Sequence, residues 1–358
     1  MRTGWILVIA AALALIGGCK TAKDGQDKTA EVKTAARDKS RVFLTVDFQQ
    51  GQTLRYRFLS KRTITLDWDP NAVATKNRVQ KHDERMEMTI AYTPVEVDPY
   101  GVSTVRATVE SLQAIRSGGV TGRTFGTDAV ESAKGRSFVV KVDPRGRIVD
   151  ASELKDLIQE MGEKAFREGA GGARVKDPDM VGDFVACTWF LWDGVATIPL
   201  PAEGLAIGQT WPSQLPTPSP MVMRKARDVT YRFNGIRSGP RGAAGVIEST
   251  YKLAASTPED WPVPYAGRFR MSGTFGFLGP YEALSLEGSG EELYNIQAGR
   301  LEQRQQQYTM QVKASLPPMG VEVHPHITIE QVLTAELLLP ELQTETRNPN
   351  VEILNKSK

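Results

Sequence analysis

Thr89-Ile90-Ala91-Tyr92-Thr93-Pro94-Val95-Glu96-Val97, followed by Asp98-Pro99-Tyr100-Gly101 and then Ser103 to Val109, reads as two alternating stretches around a turn. Alternation with a period of two puts every second side chain on one face of a strand, and Pro followed by Gly reverses the chain between the two runs. The same design recurs outward from it. Ser137 to Val142 and Arg147-Ile148-Val149 flank Asp143-Pro144-Arg145-Gly146. Val229 to Ile236 and Gly245 to Leu253 flank Gly239-Pro240-Arg241-Gly242, and Glu292 to Gln297 runs through Ala298-Gly299 into a Gln-rich alternating strand, Arg300 to Val312. Val321 to Leu339 predicts one or two further strands, with Pro325 as a break.

The middle of the chain has a different period. Asp150-Ala151-Ser152-Glu153 has the spacing of a capping box, and Leu154, Leu157, Ile158, Met161 and Ala165 follow at helical intervals until Gly169, Gly171 and Gly172. Asp177-Pro178 starts a second helical pattern that carries Val181, Phe184, Val185, Thr188 and Leu191 and stops at Asp193-Gly194. The expected fold class is mainly β, with two similar antiparallel β-rich lobes joined by one or two short helices. The expected boundaries are 42–150 for the first lobe, 151–194 for the helical connection and 195–342 for the second lobe.

Three landmarks recur in order and suggest duplication. Gly51-Gln52-Thr53 returns as Gly208-Gln209-Thr210, Pro99-Tyr100-Gly101 as Pro240-Arg241-Gly242, and Gly146-Arg147-Ile148 as Gly299-Arg300-Leu301. The outer landmarks are 95 and 91 residues apart, whereas the middle turn sits 50 and 34 residues after the first. An insertion is therefore required, and the polar Asp67 to Lys81 segment is its expected place. Leu54 follows the first Gly-Gln-Thr where Trp211 follows the second, which predicts that the halves differ there.

At the amino end Arg2 precedes an apolar run from Trp5 to Ile16, and Ile16-Gly17-Gly18-Cys19 closes it. A run of that length suits a signal h-region and is short of the ~20 residues of a spanning helix. The ending resembles the lipobox of bacterial lipoproteins, whose signal, here 1–18, is cut before a cysteine that then carries diacylglycerol and palmitate. The resemblance makes Cys19 the lipidated amino terminus and places the chain in the cell envelope as a membrane-anchored lipoprotein. Lys20 stands where Asp would retain such a protein at the inner membrane, so the resemblance implies the outer membrane, facing the periplasm. Residues 19–41 read as a flexible stalk with a span on the order of 25 Å, and 343–358 as a polar tail.

Composition narrows the partners. With 44 Lys plus Arg against 42 Asp plus Glu, the charge balance offers nothing to a nucleic acid. Of the two cysteines, Cys187 lies in an apolar stretch and reads as a small buried hydrophobe, so no disulfide is expected.

The Gly208 to Trp211 element preceded by Leu200-Pro201, together with Gly288-Ser289-Gly290 leading to Gly299-Arg300-Leu301 and the lipobox, resembles an uncharacterised family of bacterial envelope lipoproteins built of duplicated antiparallel sheets. The resemblance extends over most of 45–340. It implies architecture and location and brings no activity or site residues with it.

Candidate chemistry is sparse. Ser152-Glu153-Leu154-Lys155 has the Ser-x-x-Lys spacing of penicillin-binding enzymes, but no Lys-Thr-Gly accompanies it and Leu154 belongs to the apolar stripe. His324-Pro325-His326 offers two imidazoles that Glu322, Glu330 or His82 would have to complete as a metal site; a solvated strand end is the simpler reading, and no metal or other cofactor is expected. Gly169 to Gly172 lacks the ending of a phosphate loop. Trp189, Phe190, Trp192 and Trp211, with neighbouring aliphatic residues, form the densest apolar cluster in the chain. Two readings stand for it: the seal between lobes, or the lining of a cavity for an acyl chain or other apolar ligand. The expected function is that of a binding or scaffold protein in contact with an envelope protein or glycan, and not an enzyme. The alternative is a carrier of an apolar ligand, and an envelope hydrolase stands third.

Overall fold

The structure, a computed structural model, describes residues 41–44, 46–71, 78–118, 129–144, 146, 148–154, 156–157, 160–161, 204–216, 225–239, 241–256, 281–315 and 324–338. Eleven strands fall among them: β1 Leu54–Asp67, β2 Val79–Val97, β3 Ser103–Gly118, β4 Ser137–Val142, β5 Ile148–Asp150, β6 Thr210–Pro216, β7 Ala226–Gly239, β8 Gly242–Leu253, β9 Tyr281–Asn295, β10 Arg300–Ala314 and β11 His326–Leu337. All pair antiparallel in one sheet, in the order β5-β4-β3-β2-β1-β11-β10-β9-β8-β7-β6.

The expected β character is thus present, but the strands of the two anticipated lobes share one sheet. The seam is β1 against β11, paired continuously from Tyr56↔Leu337 to Asp67↔His326. Each half ends in a long strand with an alternating pattern, and pairing those ends satisfies backbone groups that two separate sheets would leave as exposed edges. β11 is a single strand beginning just after Pro325, and the predicted hairpins appear with longer arms than the alternation alone suggested. Asp67 and Val79 to Lys81, the ends of the segment where an insertion was expected, belong to β1 and β2.

Alternation explains the faces. Along β1 the even-numbered residues Leu54, Tyr56, Phe58, Ile64 and Leu66 are buried, and along β10 Tyr308, Met310, Val312 and Ala314 are buried, while the residues between them face water or are only partly covered. The buried side chains of all eleven strands merge into one apolar cluster, joined by Leu44, Phe48, Val130, Ala133, Leu154, Leu157 and Met161 from outside the sheet.

Residues 152–154, 156–157 and 160–161 are helical, with Leu154, Leu157 and Met161 buried as their spacing predicts. The capping box is only half made. Asp150 accepts from the Ser152 N–H at 3.0 Å, but the Glu153 carboxylate accepts from the Val139 N–H on β4 at 2.7 Å instead of turning back on its own helix. The second helical pattern, Asp177 to Asp193, lies outside the described residues, as do the signal, all of the stalk before Arg41 and the polar tail.

The two Gly-Gln-Thr segments make the same turn. Gln52 N–H donates to Gln49 O at 3.0 Å and Gln209 N–H to Ala206 O at 3.0 Å; Gly51 N–H reaches Pro94 O on β2 at 2.8 Å and Gly208 N–H reaches Phe233 O on β7 at 2.7 Å. Both glycines have positive φ, +78° and +85°, a conformation that disfavours any side chain. The residue after each, Leu54 and Trp211, is buried, so the expected difference between the halves at this point is one of side-chain size only. The other two landmarks fall between β2 and β3 against β7 and β8, and between β4 and β5 against β9 and β10. From one edge of the sheet to the other, the strands descend β5 to β1 and then, beyond β11, β10 to β6.

Candidate functional site

The buried face carries a belt of polar side chains across its middle. One cross-strand row runs Glu84, Arg62, Gln331, Tyr308, Gly288, Tyr251, and the next runs Ser60, Leu333, Gln306, Gly290, Ser249, Tyr231, Trp211. A third places Arg304 opposite Glu292. Along the strands the belt is flanked by Ile64, Leu66, Ile329 and Met310 on one side and by Tyr56 and Leu337 on the other, while Phe58 and Phe233 lie in the row of Arg304 and Glu292. Buried charges are tolerated only when paired. Arg62 Nε meets Glu84 Oε2 at 2.8 Å, and Arg304 Nε lies 3.0 Å from Glu292 Oε1, all four side chains at most 7% exposed.

Glycine makes room for the belt. A Cβ on Gly290 would stand 2.5 Å from the Tyr251 hydroxyl and 2.7 Å from Ser249 Oγ, and one on Gly288 would stand 2.6 Å from Tyr308 Cβ. The bare stretch Gly288-Ser289-Gly290 of β9 therefore lets Tyr251 and Tyr308 lie across it from both sides. Arg227 on β7 places its guanidinium 4.4 Å from the Tyr251 ring centroid and donates through Nη2 to Gln306 Oε1 on β10 at 3.2 Å. Two strands separate β7 from β10, about 14 Å on a flat sheet, so the sheet is curled strongly enough here for side chains to span it. Tyr308 donates to Gln331 Oε1, and Gln331 Nε2 donates to Ser60 Oγ at 2.8 Å.

At the β6 end the belt closes on Trp211, whose ring stacks on Tyr231 at 5.5 Å between centroids. Burial pushes the Tyr231 hydroxyl well above its ordinary pKa, with Glu292 adding to the effect and Arg304 opposing it. Burial also pushes Tyr251 up to about 12, against the opposing charge of Arg227. Both phenols are therefore neutral at physiological pH. Trp211 Nε1, Ser213 Oγ, Tyr231 OH, Gln306 Nε2, Arg304 Nη2 and both carboxylate oxygens of Glu292 are buried without a hydrogen-bond partner among the described residues.

The opposite face of the sheet is open. Across β3, β2, β1, β11, β10 and β9 it holds a trough of about 750 Å³ lined by Lys61, Arg85, Ile115, Val332, Gln307 and Thr309, among others. Ile115 and Val332 are 44% and 36% exposed in it.

Of the residues singled out in the sequence, Trp211 is buried at the edge of the belt, while Cys19, Trp189, Phe190 and Trp192 lie outside the described residues. Ser152 is exposed and donates to Asp150 Oδ1 at 2.9 Å; Lys155 lies outside the described residues. The histidines are not brought together. His326 pairs with Asp67 on the open face of the sheet, whereas His82 pairs with Ile64 and turns towards the buried face. Among the described residues no three His, Cys, Asp or Glu side chains gather to hold a metal. Sequence reasoning missed the belt because its members come from eight strands; the Gly288-Ser289-Gly290 element and the Gln-rich run of β10 were its only local traces.

No family model matches the chain, and no curated protein matches it. Among solved structures it is similar to one described as lipid-protein interactions in lipovitellin, with a TM-score of 0.39 and 10% identity over 82% of this chain. The match spans 26% of the lipovitellin chain, about a quarter of its length. An outer membrane channel from Pseudomonas putida F1 aligns with 84% of this chain and 98% of its own at 7% identity, with a TM-score of 0.17.

Proposed function

We propose that this chain is an outer-membrane lipoprotein, anchored through Cys19 and facing the periplasm, that binds an apolar or amphipathic ligand against the buried face of its sheet. It is a carrier and not an enzyme. The observation that carries this reading is the set of buried polar atoms without partners around Trp211 and Tyr231. A finished protein core satisfies nearly all of its polar groups. A largely apolar face that carries several unpartnered polar atoms is instead the profile of a ligand site. The equivalent Gly-Gln-Thr turns and the parallel descent of strands support a duplicated five-strand unit, with β11 as the added strand between copies, in keeping with the resemblance to duplicated envelope lipoproteins.

Native mass spectrometry with lipid extraction, on the chain beginning after Cys19 and purified from exported material, tests the reading. A stoichiometric apolar adduct is the expected result. A clean apo mass that is unchanged after incubation with an envelope lipid extract would reject it.

The exposed Ile115 and Val332 in the open trough favour a second, compatible contact with an envelope protein or a glycan. Crosslinking from intact cells should then recover a partner that a Val332→Asp variant loses; identical recovery by both proteins would remove this contact.

A further inference from the structure

One end of the sheet carries apolar side chains that project into solvent. Register fixes that end: Leu54 stands beside Tyr92, Leu337 beside Tyr56 and Arg300 beside Asn295, so both Gly-Gln-Thr turns and the tips at Asp98 to Gly101 and Ile296 to Gly299 share one rim. Single exposed apolar residues are ordinary. Here, among the described residues, the four most exposed large hydrophobics, Tyr100, Val149, Ile207 and Ile236, all stand at this rim. The chain also enters the sheet there. Arg41 Nη1 donates to Gly204 O at 2.9 Å, and Val42 and Leu205 exchange backbone bonds of 2.9 and 2.7 Å. Two residues beyond Leu205, Ile207 is 70% exposed. At the other corner Tyr100 is 86% exposed on a tip that is held stiffly. Asp98 Oδ1 accepts from the Tyr100 and Val102 N–H groups, both at 2.8 Å, and a Cβ on Gly101 would meet Pro144 Cγ at 2.9 Å.

We propose that this rim rests on the surface of a phospholipid bilayer, with Tyr100 at one corner and Ile207 and Ile236 at the other entering the head-group layer. The inference rests on the anchoring of the chain through Cys19 and adds which end of the sheet meets the membrane. Residues 20–41 lie between Cys19 and the first bond to the sheet at Val42, and as a flexible stalk they span on the order of 25 Å. β2 alone has 19 residues and is about 63 Å long. The anchor therefore holds this rim close to the bilayer and leaves the opposite end of the sheet far from it. Tethering makes the second contact intramolecular, so a few side chains suffice. Tyrosine suits the interface, since its ring is apolar and its hydroxyl stays in water. The exposed charges at this end are mixed, with Asp47 and Glu96 against Lys141, so the contact is apolar and persists in salt.

Quenching by brominated lipid tests the orientation. The full-length exported chain is reconstituted into phosphatidylcholine vesicles with and without dibrominated acyl chains, as the natural protein and as Tyr100→Trp, Ile207→Trp and Val79→Trp. Val79 is exposed at the far end of β2 and serves as the control. Subtracting the natural protein's signal removes any quenching of Trp211 by lipid held against the buried face, so failure of the carrier reading does not alter the result. The emission added at 100 and at 207 is expected to be lost in brominated vesicles, at low and high salt alike, and that added at 79 to be unchanged. Flotation of the protein with the vesicles but no quenching at 100 or 207 would overturn the rim contact and leave the anchor standing. Quenching at 79 in their place would overturn it by setting the opposite end on the bilayer. A full-length chain that does not float with the vesicles would overturn anchor and rim together.

Discussion

At the scale of single residues, the buried belt makes two kinds of charge pair directly comparable. Arg304 and Glu292 are enclosed, whereas Arg57 and Glu336, paired at 2.8 Å, are each about half exposed. Removing one partner of an enclosed pair strands the other charge in low dielectric, so Glu292→Gln should lower stability by about 3 to 5 kcal/mol. Glu336→Gln should change it by at most about 1 kcal/mol, because water screens that pair. Urea unfolding of the two variants side by side checks the contrast. The phenols add a pH dependence. Tyr251 is held up to about 12 by burial, and Tyr56, Tyr231 and Tyr294 are also raised by burial. Below a pH of about 10 these phenols are protonated in folded and unfolded chains alike and their contribution is fully present. Above it the unfolded chain releases protons that the folded chain retains, so stability falls from a pH of about 10 through about 12. Phenolate absorbance followed together with circular dichroism should show the buried phenols titrating only as the sheet unfolds.

At the scale of elements, β9 and the Gly-Gln-Thr turns use glycine for different reasons, and substitution separates them. A Cβ on Gly288 would lie 2.4 Å from Gln307 O, a backbone atom of β10 that cannot move without breaking the ladder. Gly288→Ala should therefore cost about 1 to 3 kcal/mol through overpacking and weaken the pairing of β9 with β10. Gly208 has open space around a Cβ but a φ of +85°, so Gly208→Ala should cost about 1 to 2 kcal/mol through backbone strain alone. Gly208→Asn, which tolerates that conformation better, should recover part of the loss, whereas Gly288→Asn should not. Thermal unfolding of the four variants decides between the two causes.

At the scale of the whole molecule, the seam between β1 and β11 ties the two halves into one sheet, so they should unfold together. Far-ultraviolet circular dichroism and tryptophan fluorescence are expected to give coincident urea transitions, whereas two resolved transitions would restore two independent lobes. The alternating runs, the Pro-Gly turns and the helical stripe at Leu154, Leu157 and Met161 were legible in the amino-acid sequence, because each depends on neighbours a few residues away. So were the recurring Gly-Gln-Thr turns, whose positive-φ glycine is a local requirement. The seam was not legible, since nothing in Leu54–Asp67 or His326–Leu337 states that strands some 270 residues apart are partners. Nor was the belt: Arg62, Glu84, Arg227, Tyr231, Glu292, Arg304 and Gln331 each look like ordinary members of an alternating strand. The sequence by itself determined which residues alternate, where the chain turns and hence that the protein is a β-sheet. Only the tertiary structure decided that there is one sheet and that its buried face gathers the polar belt, because pairing register and curl are set by contacts between strands distant in the chain.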